Sequence, residues 1–145
     1  QMFSKACEYG IRASIFIAEQ SKLGRKVSLK EVALAIESPA AYTSKILQHI
    51  IRNNIINSDK GPWGGFSMNK QELNKVKLST IVSAIDGDDI YKGCGLGLKQ
   101  CNEHKPCPVH YRFKVVRDEL KKMLETTTVD SLAIDYEKGL TFLKR

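Results

Sequence analysis

Residues 24–56 constrain the fold more than any other stretch: GRKVSLKEVALAIESPAAYTSKILQHIIRNNII writes two helices with almost nothing between them. The Ser28 hydroxyl can cap a free helix amide, and Glu31, three residues on, can reach back to the amide of Ser28, a capping box that opens a helix. Leu29, Val32, Ala33 and Ile36 recur at helical spacing and predict its buried stripe. Ser38-Pro39 then restarts a helix, with Ser38 as the expected N-cap and proline at the first helical position. Tyr42, Ile46, Leu47, Ile50 and Ile51 supply the apolar face of that second helix. Two short helices with a tight break predict a helix-turn-helix. Ala40, Thr43, Ser44 and Lys45 are expected on the exposed first turns of its second helix. Small and polar side chains there suit a helix end that enters a major groove.

The next residues narrow the choice. IINSDKGPWGGFSMN reads as strand, glycine-rich turn, strand, with Lys60 and Trp63 in the turn. A two-stranded ribbon directly after a helix-turn-helix is a wing, and its cationic tip can enter a minor groove or lie on phosphates. The charge agrees: residues 1–70 hold ten Lys and Arg against five Asp and Glu, whereas residues 71–145 hold thirteen against eleven. A basic N-terminal half points to an anionic partner, and nucleic acid is favoured over membrane because no basic amphipathic helix is present. No apolar run approaches the roughly 20 residues of a membrane span, and no signal peptide is legible, so a cytoplasmic protein is expected. Gln1, ahead of Met2, is read as extraneous to the fold.

Before the helix pair, Phe3, Cys7, Ile11, Ser14, Ile15 and Ala18 trace an amphipathic helix over residues 3–20, with Cys7 as a small core residue. After the wing, LSTIVSAID predicts a short helix over 78–86 with Leu78, Ile81, Val82 and Ile85 inward and Gly87 closing it. Val109, Phe113, Val116, Leu120 and Met123 follow at spacings of four and three, a heptad seam whose simplest partner is the same helix of a second copy. The last residues predict a short helix capped near Thr128 and a basic tail. The expected fold is mainly α with a small β-wing, divided into a winged helix-turn-helix at 2–87, a cysteine-rich loop at 88–108, and a dimerisation helix with a C-terminal segment at 109–145.

That loop is long and lacks apolar periodicity, which in a compact domain marks function. Cys94, Cys101 and Cys107 have the spacing C-x6-C-x5-C, with His110 at C-x2-H after the last. Thiolates bind iron and zinc, and Lys92, Lys99 and Lys105 are expected to favour the deprotonated form. Gly93, Gly95 and Gly97 leave amides free to approach sulfur. Cys7 and His104 are not expected to be ligands.

EYGIRA, SLKEVALAIESPAAYTSKIL, SDKGPWGGFSMN, LSTIVSAIDG and TTVDSL, in this order, resemble the Rrf2 family of bacterial winged-helix regulators over nearly the whole chain. The resemblance implies a homodimeric transcription factor that binds a palindromic operator in double-stranded DNA. It carries Tyr42, Ser44 and Lys45 onto the recognition helix and Lys60 onto the wing; with Ser38, Thr43 and Trp63 from the reading of the residues themselves, these are the candidate DNA-binding residues. Ser44 stands where IscR-type members have an acid, and Trp63 where a small residue is usual. The cysteine loop resembles the family's cluster loop, with one extra residue between the first two cysteines. It implies an iron–sulfur cluster on Cys94, Cys101 and Cys107, which a purified sample need not retain. His110 matches the fourth ligand of a 2Fe–2S cluster in IscR-type members, the favoured reading. Glu8 matches a carboxylate that NsrR-type members supply from the other subunit, for a 4Fe–4S cluster. The competing reading is a regulator of the same fold with structural zinc or thiol-redox chemistry. No nucleophile–base pair, phosphate loop or paired carboxylates point to an enzyme, and no small-molecule substrate or membrane partner is expected.

Overall fold

A computed structural model describes residues 2–145; Gln1 lies outside the described residues. Its centre is α1 (Lys5–Lys22), capped by Ser4, whose hydroxyl accepts the Cys7 amide at 3.0 Å. The Asp86 carboxylate holds the same Ser4 through its amide, at 2.9 Å, and its hydroxyl. From Ala13 to Ser21 only Phe16 escapes burial, so α1 loses its amphipathic character in its second half. Such a helix must be surrounded. Around it lie α2 (Leu29–Ala35), α3 (Ala40–Arg52), α4 (Leu78–Asp86) and α7 (Val129–Glu137).

Both halves of the Ser28–Glu31 capping box form, at 3.1 and 3.2 Å. The α2 helix then ends in a Schellman turn: Ser38 N–H reaches Ala33 O at 3.0 Å, and Glu37 takes the left-handed conformation at φ 52°. The expected cap of α3 is corrected here. Pro39 is the N-cap residue and makes no side-chain cap, and the helix begins at Ala40. The Ser38 hydroxyl is instead paired with the hydroxyl of Thr43.

The wing forms as expected from β1 (Asn57–Asp59) and β2 (Gly65–Ser67), antiparallel with Ser58 opposite Phe66. Its other edge is also used. Val27 donates to Phe66 O at 3.0 Å and accepts from Phe66 N–H at 2.7 Å, so the residue leading into α2 serves as a third strand. Gly65 makes this possible: it sits at φ 134°, and a Cβ there would lie 2.8 Å from Val27 O. Gly65→Ala is therefore expected to lower unfolding stability by about 1–3 kcal/mol, whereas Gly61→Ala, at φ 93° with open space around it, should cost less. Denaturant titration of both variants compares them.

A 3-10 turn (Lys70–Lys75) buries Leu73 and leads to α4, which Gly87 ends at φ 74°. The loop beyond contains a short helix, α5 (Asp89–Lys92), before α6 (His110–Thr126). Thr128 caps α7 by accepting Ser131 N–H at 3.2 Å. The C-terminal segment returns to the first helix. Helix α7 packs along α1, Val129, Ala133 and Leu143 belong to the main core, and Lys22 pairs with Asp130 at 3.0 Å. Arg12 binds Ile36 O at 3.1 Å and Leu143 O at 3.3 Å, tying the tail to the helix-turn-helix. No helix among the described residues is long and apolar enough to cross a membrane.

Candidate nucleic-acid interface and cysteine loop

The exposed face of α3 is polar and cationic. Ser44, Lys45, Gln48, His49 and Arg52 line a shallow concavity along it. Gln48, His49 and Arg52 were not among the sequence candidates, although they continue the Ser44–Lys45 face at helical spacing. Thr43 is corrected in the opposite direction. It is 1% exposed, and its hydroxyl donates to Pro39 O at 2.7 Å besides pairing with Ser38. Ser38 and Thr43 thus brace the turn between the helices. Tyr42 is half-buried, set edge-on to Tyr9 at 5.6 Å, and the Arg12 guanidinium stacks on the far partner of that pair at 4.6 Å from the Tyr9 ring.

At the wing tip Lys60 is exposed and Trp63 stands out at 89% exposure. The turn closes through Gly64 N–H to Gly61 O at 2.9 Å. Lys26 pairs with Asp59 at 2.8 Å, which offsets the one acid of the wing and leaves Lys60 its free charge.

In the cysteine loop the three thiols are free and partly exposed. Cys94 accepts the Leu96 amide at 3.4 Å. Backbone N–H groups of Leu96 and Leu98 hold its thiol below the ordinary range, helped by Cys107 and the Gly97 amide. At Cys94, therefore, backbone amides and not the expected Lys92, Lys99 or Lys105 are what favour the thiolate. Cys101 lies 3.3 Å from His110 Nδ1 and accepts from Arg117 Nη2 at 3.2 Å. Arg117 also donates to Gly93 O at 2.8 Å, while its Nε is buried without a partner among the described residues. Gly95 lies on the Phe113 ring so closely that a Cβ would come within 2.5 Å of it. His110 is 6% exposed.

Of the candidate ligands, Cys101 and His110 therefore meet directly. Among the described residues no three His, Cys, Asp or Glu side chains are drawn together to hold a metal ion. Glu8, on α1, pairs with Lys5 at 3.7 Å. Cys7 is fully buried beside Leu78, Val82 and Leu124, and burial, with Asp86 nearby, pushes its thiol up to about 12. In native protein at neutral pH, iodoacetamide should label Cys94, Cys101 and Cys107 while sparing Cys7, which peptide mass spectrometry can read.

Of the expected α6 seam, Phe113, Val116 and Met123 are exposed, while Leu120 packs against the chain's own Cys7 cluster. The inward stripe is His110, Phe113, Arg117, Leu120 and Leu124: the first three carry the loop, and the last two pack with Cys7. At about 100° per residue, Val115 points away from that stripe while Val116 and Met123 flank it, and all three are exposed.

A family model described as an iron-dependent transcriptional regulator, Rrf2, matches residues 3–135. The chain belongs to the Rrf2 family. Over 141 residues it is 27% identical to a protein of Aquifex aeolicus assigned as an HTH-type transcriptional regulator, covering 96% of each. It is 23% identical to the transcriptional regulator IscR of Pectobacterium atrosepticum, over 89% of this chain and 77% of that one. Among solved structures it resembles the global cysteine regulator CymR of B. subtilis, with a TM-score of 0.74 at 20% identity over 91% of this chain and 95% of the other. It also resembles T. potens IscR, with a TM-score of 0.71 at 17% identity over 95% and 90%. The Rrf2 fold accounts for the mostly helical architecture and small wing. This Rrf2 chain is a transcriptional regulator and not an enzyme, consistent with surfaces built from a cationic helix, a wing and a thiol-bearing loop.

Proposed function

We propose that this protein is a homodimeric regulator that reads a palindromic operator in duplex DNA and responds to redox, nitric oxide or iron–sulfur status through its cysteine loop. Each head would enter a major groove with Ser44, Lys45, Gln48, His49 and Arg52, and set Lys60 and Trp63 at the adjacent minor groove. Dimerisation is assigned to the exposed apolar side chains of α6, Val115, Val116 and Met123 together with Tyr111 and Phe113. The observation that carries the reading is that the loop and these apolar side chains share one helix, Val116 and Met123 flanking the face that carries the loop, so a change in the loop bears directly on the joint between two heads.

The donor set of three thiols and an imidazole fits an iron–sulfur cluster, with N–H donors already aimed at two of the sulfurs. Cys94, Cys101, Cys107 and His110 would hold it, 2Fe–2S in the preferred form. His110 is favoured as fourth ligand by its 3.3 Å approach to Cys101 Sγ, whereas Glu8 is engaged with Lys5 on its own helix. When bound, such a cluster supplies a centre whose charge and integrity depend on oxidants. The residues themselves orient the loop, shield its inner side with Phe113, and donate hydrogen bonds to sulfur.

Anaerobic purification followed by iron, acid-labile sulfide and visible absorption tests the cluster. Duplexes selected from a random pool test DNA reading. Lys60→Ala should weaken binding by about 1–3 kcal/mol if Lys60 reads a groove edge, or lower the salt slope by about one if it meets a phosphate. Zinc without sulfide would replace the cluster by the zinc reading, and unchanged affinity and salt dependence would remove the wing from the interface.

A further inference from the structure

We propose that Arg117 is the positioning residue that fastens the cysteine loop to the dimer helix and makes the state of Cys101 felt along α6. The proposal rests on the reading of the loop as the sensing element. One guanidinium here spans two points of the loop, Gly93 O at 2.8 Å and Cys101 Sγ at 3.2 Å. Its anchor lies in the middle of α6, two turns beyond His110, on the stripe that also carries Phe113 and Leu120. Cys101 is thereby gripped from both ends of that stretch, by His110 and by Arg117, while Gly95 rests on the ring between them.

The third donor strengthens the assignment. Arg117 Nε is buried with no partner among the described residues, a cost that proteins rarely leave uncompensated. A planar fork with a spare N–H beside a sulfur is suited to an anionic sulfur environment, where a donor to charge is worth about twice a neutral one. Lys114, one turn earlier, is committed to Asp118 at 2.8 Å and does not compete. In the metal-free protein Arg117 keeps residues 93–101 folded along α6. With the loop loaded, it donates to the Cys101 sulfur and stabilises the more negative state of whatever the thiols hold.

Limited proteolysis of the full-length, metal-free protein tests the first half. Loss of a charge-assisted pair should raise the opening of the loop about tenfold or more, so Arg117→Met should be cut within 93–107 at least that much faster than wild type, at an unchanged melting temperature. Arg117→Lys, which keeps the charge but loses the fork, should fall between. Lys114→Met serves as a control on the same helix and should match wild type. If Arg117→Met lowers the melting temperature, Arg117→Lys and the cleavage map decide: cuts confined to the loop support the latch, and cuts spread through the core overturn it. Wild-type cleavage rates in both Arg117 variants also overturn it. The second half is read in protein reconstituted anaerobically with iron and sulfide, where Arg117→Met should show a lower midpoint potential and Arg117→Lys a partial return; equal potentials overturn that half. Wild type that takes up no iron and sulfide sinks the cluster reading instead, and the proteolysis result stands apart from it.

Discussion

Glutamates at Val115 and Val116 are expected to convert the protein to a folded monomer and to weaken operator binding about a hundredfold or more. The basis is geometric. Both side chains are more than 60% exposed and sit on a helix whose Leu120 and Leu124 already pack against the chain's own Cys7 cluster. A charge pair there costs the isolated chain little, because surface substitutions away from packed features change stability by only about 0.5 kcal/mol. In a two-fold interface each substitution appears twice, and like charges would face one another. Losing the second head removes the avidity of a two-site reader, which is where a factor of about 10²–10⁴ arises. Leu120→Glu supplies the contrast: it enters the cluster around Cys7 and Leu124 and should lower the melting temperature instead. Sedimentation velocity separates the two outcomes. A stable dimer of the Val115/Val116 double variant at micromolar concentration would move the interface elsewhere.

Cys94→Ala, Cys101→Ala and Cys107→Ala should each abolish cluster retention, because a lost thiolate has no substitute nearby among the described residues. His110→Ala should weaken or convert the cluster, and it has a second effect. His110 is buried against Cys101, so its loss opens the base of the loop as well as removing a nitrogen. His110→Cys restores a ligand without the ring and tells the two apart by absorption. Glu8→Ala should leave the spectrum unchanged. A changed spectrum with Glu8→Ala and an unchanged one with His110→Ala would reverse the assignment and require the carboxylate of a second copy. Coupling between the loaded loop and the operator is expected at about 1–3 kcal/mol. It should vanish in the triple cysteine variant.

The helix-turn-helix and wing were legible because their signals are local. Gly24, Asn54 and Gly139 each occupy the left-handed position after a helix, where glycine or asparagine is favoured, and the Ser28 and Thr128 caps act within three residues. Glu37 takes the same backbone conformation with no such signature, so the turn between α2 and α3 was visible only as a break. Thr43 shows the limit of face counting: its hydroxyl is satisfied one turn back, at Pro39 O, so a polar side chain can be buried. On α6 the heptad period was legible, but the inward stripe of His110, Arg117, Leu120 and Leu124 beside it was not. Two stripes of similar spacing lie on that helix, and only the Cys7 cluster decides which turns inward. Arg117 left no trace in sequence, since its partners lie 16 and 24 positions away in an aperiodic loop.

The return of α7 to α1 sets the order in which this molecule can become active. Helix α1, which precedes the helix-turn-helix, packs against α7, which follows the wing and α6, and Leu143 completes the same core. A nascent chain that has delivered the helix-turn-helix and wing still lacks the wall against which α1 is held, so the reading head is not finished when its own residues are. Contacts between distant positions form slowly and late. Truncated products that stop before Val129 would carry an intact recognition helix on an unsupported frame, and the cell would meet them as substrates for proteolysis, not as competitors for the operator.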